Sequence, residues 1–186
     1  MKRAFIIHGW GGYPEKEWRP WLKNELEKRG YQVIVPAMPE TDHPKIEAWV
    51  PYLSKVVDHP DEETILIGHS MGCQTILHYL ETLSENQKVG KVILVAGFGP
   101  YLTGLTADEE QIAKPWVETP IDFDKVKTKA SEFIAIFSDN DPYVPLEENS
   151  RLFKEKLGAK IIVEHNKGHL SGDDGILELP VLLEVI

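Results

Sequence analysis

The chain has 186 residues, of which 42% are hydrophobic, 27% charged and 9% aromatic, the composition of an ordinary soluble globular domain. A folded chain of this length hides roughly 70% of the surface its unfolded form exposes, so one core over residues 1–186 forms without a disulfide or metal staple. Twenty Lys and Arg against thirty Asp and Glu leave a net charge of −10 with no basic cluster, which excludes nucleic acid as an expected partner.

Short β-branched runs alternate with longer helical patterns along the chain. The first run, residues 4–7, leads into His8-Gly9-Trp10-Gly11-Gly12. Trp18, Trp21, Leu22 and Leu26 then share a helical face, with Pro20 near its start and Gly30 as its stop. A second run covers 32–35, and the helix expected over 46–57 is weakened by Pro51. The third run, 64–67, precedes a helix whose stripe is Cys73, Ile76, Leu77, Leu80 and Leu83. A fourth covers 91–95.

Residues 97–131 break the rhythm, being about 35 residues where a crossover needs about a dozen or more. Thr106 and Glu109 have capping-box spacing for a short helix that Pro115 ends. The other apolar residues there, including Phe98, Tyr101, Leu102, Leu105 and Trp116, read either as a binding loop over the sheet or as a poorly ordered segment. Runs at 132–137 and 160–163 flank a helix over 147–157 that Pro145 precedes and Gly158 closes. All six runs are nearly pure Ile, Val, Leu, Phe and Ala, as strands covered on both faces are. The expected fold is α/β: a three-layer α/β/α sandwich around an about six-stranded, mostly parallel sheet.

At the end of the third run stands Gly68-His-Ser70-Met-Gly72, a Gly-x-Ser-x-Gly motif at a strand-to-helix junction. Chance supplies the bare motif roughly 0.06 times over a chain this long, so its position after a buried strand and the presence of partners must carry the reading. Glycines two residues either side of Ser70 let a tight turn lift its Oγ clear of strand and helix. A serine at its free pKa is a poor nucleophile and needs a base. Catalytic groups of α/β folds come from loops at the carboxyl ends of strands. His169, in Asn166-Lys-Gly168-His169-Leu170, is the favoured base, whereas His165 is read as pointing into the sheet packing. His43, His59 and His78 lie in polar or helical stretches that suit solvated or satisfied roles.

After residues 132–137 comes Ser138-Asp139-Asn140-Asp141-Pro142. Asp141, held by the proline, is the candidate acid for fixing the imidazole tautomer, and Asp139 is read as a turn former. A calcium loop is discounted, since the stretch lacks the glycine and glutamate that such a loop needs; no metal site and no cofactor are expected. The chain order is then Ser70, Asp141, His169, the order of the α/β-hydrolase architecture. For the oxyanion hole the candidates are the N–H groups of Met71, after the serine, and Trp10, in the glycine-rich loop after the first strand. That loop fails both the phosphate-loop and dinucleotide patterns.

With these residues in hand, the sequence resembles the small serine hydrolases related to retinoblastoma-binding protein 9, within the α/β-hydrolase fold. The likeness runs nearly end to end, through His8-Gly9-Trp10, Trp18…Pro20-Trp21-Leu22, Gly68–Gly72, Ser138-x-x-Asp141-x-x-Val144-Pro145, Gly168-His169 and the apolar tail 176–186. It implies a minimal fold without a full cap domain, a Ser70–Asp141–His169 triad, and cofactor-free hydrolysis of small esters or amides. The Leu-x-Cys-x-Glu motif of the namesake is absent, so its protein partner is not carried over.

The expected function is therefore a serine hydrolase acting on small ester or acyl substrates, with His8, Trp10, Phe98 and Tyr101 as candidate substrate-binding residues. Trp116 is read as core. A binding module on a catalytically weak scaffold and an acyltransferase are the alternatives. A lone cysteine, Cys73, and the lack of an apolar run near the roughly 20 residues of a membrane helix lead to the expectation of a cytoplasmic protein without membrane contact.

Overall fold

The computed structural model describes residues 1–186. Six strands run in chain order as β1 (Arg3–Ile7), β2 (Gln32–Ile34), β3 (Thr64–His69), β4 (Val89–Val95), β5 (Ala130–Ser138) and β6 (Lys160–Glu164). Between and after them lie α1 (Arg19–Lys28), α2 (Ile46–Val57), α3 (Met71–Thr82), α4 (Ala107–Glu118), α5 (Phe123–Lys127), α6 (Leu146–Leu157) and α7 (Val181–Val185). The strands form one sheet in the order β2-β1-β3-β4-β5-β6, with every pairing parallel.

Strand side chains alternate between two apolar layers, which explains why the runs are apolar throughout. Ala4, Ile6, Ile65, Ile67, Ile93, Val95, Ile134 and Ile136 meet Leu22 and Leu26 of α1 and Leu182 and Val185 of α7. Phe5, Ile7, Leu66, Val92, Leu94, Ala135 and Phe137 meet the larger layer built on α2, α3 and α6. In α3, Met71 through Leu80 are all buried, so this helix is apolar on every side rather than along a stripe.

The order reverses between β1 and β3, since β2 lies on one side of β1 and β3 on the other. Outside the carboxyl ends of strands at such a switch point, the chains diverge and leave a crevice. Ile7 and His69 end the two strands that flank it.

Proline placement departs from the sequence expectation twice. Pro51 sits inside α2 without breaking it, because Trp49, Val50, Leu53 and Val57 bury the inner face. Pro115 does not end α4, which continues to Glu118; Trp116, on the next position, is buried and donates its Nε1–H to the Pro44 carbonyl at 3.0 Å. The capping box of Thr106 and Glu109 forms as expected. Residues 97–131 are thus more than a loop over the sheet: they carry α4 and α5 and contribute Phe98, Trp116 and Val126 to the core.

Trp116 also meets Trp49 edge-on, with ring centroids 5.8 Å apart. Trp116→Ala should cost about 3–5 kcal/mol, as for other large buried aromatics. Trp116→Phe should cost less, retaining the ring contact while leaving the Pro44 carbonyl unpaired. Urea unfolding of the two variants against the parent measures both.

Candidate active site

Ser70 occupies the turn between β3 and α3 with φ 52° and ψ −118°, a conformation that costs a non-glycine residue about 1–3 kcal/mol. Its neighbours hold it there. Its N–H donates to the Val95 carbonyl at 2.9 Å, and its own carbonyl accepts from the Cys73 N–H at 2.9 Å. A side chain at Gly68 would come within 2.8 Å of the Cys73 nitrogen, and one at Gly72 within 2.4 Å of the Ile7 carbonyl oxygen. Both glycines are required by close backbone approach, as the sequence motif suggests.

The loop after β1 approaches the serine equally closely. A β-carbon on Gly9 would stand 3.0 Å from that of Ser70. Gly11, at φ 63°, donates its N–H to the Thr41 carbonyl, and Gly12 donates to the Gly9 carbonyl. The Trp10 N–H has no partner within the chain. Met71 opens α3, where the helix offers its N–H no carbonyl. These two donors and Ser70 line one cleft of about 440 Å³.

His169 lines the same cleft. Its Nδ1 lies 2.8 Å from Asp141 Oδ2, while Asp141 Oδ1 accepts the N–H groups of Tyr143 at 2.8 Å and Val144 at 3.1 Å. The Asp141 side chain is only 2% exposed and the His169 side chain 14%. Tyr143 meets the imidazole edge-on at 5.2 Å. No hydrogen bond joins Ser70 Oγ to His169; in unliganded sites such bonds are often long and tighten when substrate binds.

The loops that carry Asp141 and His169 are laced together. Ser138 Oγ, Asp139 Oδ1 and Asn140 Oδ1 accept the N–H groups of Lys167, Asn166 and Gly168 in turn. A side chain at Gly168, with φ 56°, would overlap the Asp174 carboxylate. That carboxylate accepts the N–H groups of His169 and Ser171 and the Ser171 hydroxyl through Oδ2.

Several expectations are corrected by this arrangement. His165 does not point into the sheet: its side chain is 76% exposed and pairs with Asp139 at 2.6 Å. Asp139 is accordingly more than a turn former, and the Asn166 N–H together with His165 holds its carboxyl below the usual range. His8, expected at the substrate, is fully buried and outside the cleft lining. It instead receives the Met38 N–H on Nε2 at 3.1 Å and donates from Nδ1 to the Gly9 carbonyl at 2.8 Å, bracing the glycine loop as a neutral ring. Tyr101 is 43% exposed and also outside the cleft lining, although Phe98, Leu102 and Leu105 around it belong to that lining. His78 is buried against Glu81, whereas His43 and His59 are exposed. Trp10 and Phe98 do line the cleft.

Sequence reasoning missed Glu17, Arg19, His69 and Asp174. Arg19 is fully buried and bonded to Glu17 Oε2 at 2.5 Å, and Glu17 lies 3.7 Å from His69 Nδ1. Burial opposes ionisation of Glu17, but His69 and Arg19 beside it hold its carboxyl below the usual range. Burial, and then the adjacent His169, push His69 down to about 4. The Ser171-to-Asp174 spacing was a readable turn signal; nothing local marked the others.

A parallel sheet with a serine on a positive-φ turn after its third strand, at the switch point, is the architecture of the α/β-hydrolases. The chain belongs to the serine hydrolase family, whose profile matches residues 4–186. It is 32% identical to YdeN of Bacillus subtilis (strain 168) over 185 residues, covering 100% of this chain and 94% of that protein. The crystal structure of the ydeN gene product superposes with a TM-score of 0.91 at 31% identity, over 100% of this chain and 96% of that one. Serine hydrolase RBBP9 of Rattus norvegicus is 29% identical over 175 residues, covering 92% of this chain and 89% of RBBP9. Est1E from Butyrivibrio proteoclasticus, in a structure with ferulic acid bound, shares the fold with a TM-score of 0.74 at 16% identity, over 99% and 89% of the two chains.

Folded His8 and His69 resist protonation, burial being the largest cause for each, whereas the unfolded chain protonates them near 6.5. The unfolded state therefore binds more protons below that value. The stability these rings contribute is complete above about 6.5 and is lost as pH falls toward about 4. Urea midpoints should drop between pH 7.5 and 4.5, and His69→Gln should narrow the drop; an equal drop in that variant would remove His69 as a cause.

Proposed function

We propose that the protein is a cofactor-free serine hydrolase that cleaves small carboxylic esters or related acyl bonds through an acyl-enzyme, with Ser70 as nucleophile, His169 as base and Asp141 as its orienting acid. The observation that carries this reading is the 2.8 Å contact between the buried Asp141 carboxylate and Nδ1 of His169, a histidine that lines the same cleft as Ser70. With Nδ1–H committed to Asp141, the neutral ring keeps Nε2 free to accept a proton.

Ser70 Oγ attacks the substrate carbonyl while its proton passes to His169 Nε2. The carbonyl oxygen becomes an oxyanion received by the N–H groups of Trp10 and Met71. Collapse of the tetrahedral intermediate expels the leaving group, which takes the proton from His169. Water then attacks the acyl-enzyme, gives a proton to His169 and releases the acid, and Ser70 recovers its proton. Cys73 takes no part: it is buried, and burial pushes its thiol up, away from the reactive thiolate.

At about 440 Å³ the cleft lies in the lower part of the range for small-molecule sites, which favours short or single-ring acyl groups. Met71, Phe98, Leu102, Leu105 and Ala113 supply an apolar wall. Glu17, Glu109, Asp173 and Asp174 lie elsewhere on its lining against the single cation Lys16, which disfavours anionic substrates and nucleic acid. No helix is long and apolar enough to cross a membrane, and a small acyl substrate met in the cytoplasm is the setting proposed.

A fluorophosphonate probe should label the protein, and p-nitrophenyl acetate or butyrate should be turned over. Ser70→Ala should abolish both. Asp141→Asn should lower kcat by about 10³–10⁴-fold, by presenting the wrong face of the imidazole to the serine. Labelling that persists in Ser70→Ala, measured by intact mass and tryptic mapping, would remove Ser70 from the role.

A further inference from the structure

His69 stands between the sheet and the proposed base, and the mechanism above does not use it. It ends β3 immediately before Ser70, is almost fully buried, and its Nε2 lies 2.9 Å from the main-chain carbonyl oxygen of His169. A carbonyl only accepts, so Nε2 carries the hydrogen. We infer that His69 is a positioning residue for His169, its Nε2–H holding the His169 carbonyl and thereby aiming the imidazole at Ser70. The inference rests on the reading of His169 as the base.

Three groups pin the backbone around His169. Asp174 Oδ2 accepts its N–H at 2.9 Å, His69 donates to its carbonyl, and Trp18 Nε1–H donates to the next carbonyl, that of Leu170, at 3.0 Å. Both peptide planes flanking the His169 α-carbon are therefore held by side chains, one from Asp174 in the same loop and one from His69 at the end of β3. What remains free is rotation of the side chain, and Asp141 and Tyr143 limit that. A misplacement of about 1 Å at a reacting group can cost about 10²-fold in rate.

The donor is held in its turn. Trp18 meets the His69 ring edge-on at 5.9 Å, and Glu17, paired to buried Arg19, faces its Nδ1. Glu17 itself has φ 63°, and a side chain at Gly172 would come within 2.9 Å of its Cγ, so this segment is wedged under the His169 loop.

A histidine suits this place because it donates without charge. The rings of His69 and His169 are 5.1 Å apart. A permanent cation at residue 69 would oppose formation of the His169 imidazolium, on which each proton transfer depends. His69 remains neutral at neutral pH, burial being the larger cause and His169 the next. The titratable groups facing it are Glu17 just before α1, Arg19 at the start of α1 and His169 from the loop after β6; those facing His169 are His69, Asp141, Asp174 and Tyr143.

The test compares His69→Gln, whose amide N–H reaches toward the same carbonyl, with His69→Met, of similar shape but without a donor. With p-nitrophenyl butyrate, the Met variant should lose about 10–100-fold in kcat with KM within about twofold. Its pH profile of kcat/KM should depart from the parent's, because the displaced imidazole no longer meets Asp141 in the same geometry. The Gln variant should recover most of the rate and the parent pH profile. Parent-like kcat and pH profile in His69→Met, or equal damage in both variants, would overturn the inference. Should the Met variant not fold, nitrogen–proton correlation spectra of the parent decide: a neutral Nε2–H tautomer of His69 from pH 5 to 8 supports the inference, and an Nδ1–H tautomer or an imidazolium overturns it. Failure of the hydrolase reading is separately visible, as a parent without turnover or a Ser70→Ala variant that still labels.

Discussion

The backbone of Ser70 is held at a positive φ that a serine does not choose for itself, and much of the surrounding structure keeps it there. Strand β3 must end, the chain must reverse its twist, and α3 must begin within two peptide bonds. This is possible only where α3 presses on the end of β1, with the α-carbon of Gly72 against the Ile7 and His8 carbonyls and that of Gly68 against the first turn of α3. The strain is local, but what opposes it is the packing of α3, buried from Met71 to Leu80, between the sheet and α2. Exposed on this turn, the hydroxyl faces the crevice that the reversal of strand order opens.

Around that fixed point, the remaining loops are fastened to one another more than to the sheet. Residues 138–140 accept three successive N–H groups from 166–168, which ties the loop after β5 to the loop after β6. The same two loops bear Asp141 and His169, which pair at 2.8 Å. On the other side, His8 secures the glycine loop by bonds from both ring nitrogens, leaving the Trp10 N–H free. Preorganised donors of this kind are most effective where water is scarce and nothing has to reorient during reaction.

Charge is distributed to the same end. The chain carries ten net negative charges, yet the interior next to the cleft includes two histidines that stay neutral, His8 and His69, and a compensated pair, Glu17 with Arg19. Segment 97–131 roofs part of the cleft through Leu102, Leu105, Glu109 and Ala113 while anchoring itself through Trp116. An insertion anchored in the core in this way narrows the cleft without amounting to a separate cap.

What the amino-acid order determined by itself is what short stretches can encode: six strands from runs apolar on both faces, helix ends from Gly30, Gly158 and the Thr106–Glu109 box, and the turn at Ser70 from glycines two residues either side. Proline was a weaker guide, since Pro51 and Pro115 each remove one hydrogen bond but burial of Trp49 and Trp116 outweighs that loss. The sequence pointed to His169 and Asp141 by their places after the last two strands, but only the tertiary structure shows which histidine lines the cleft and which aspartate it meets. Two His–Asp pairs form, His165 with Asp139 and His169 with Asp141, and only His169 of the two histidines faces the crevice with Ser70. It also decided that His8 braces a loop and that His69 reaches a carbonyl 100 residues away along the chain. Such contacts depend on where separate loops are brought by the closing of the sheet, and no local pattern of residue types carries that information.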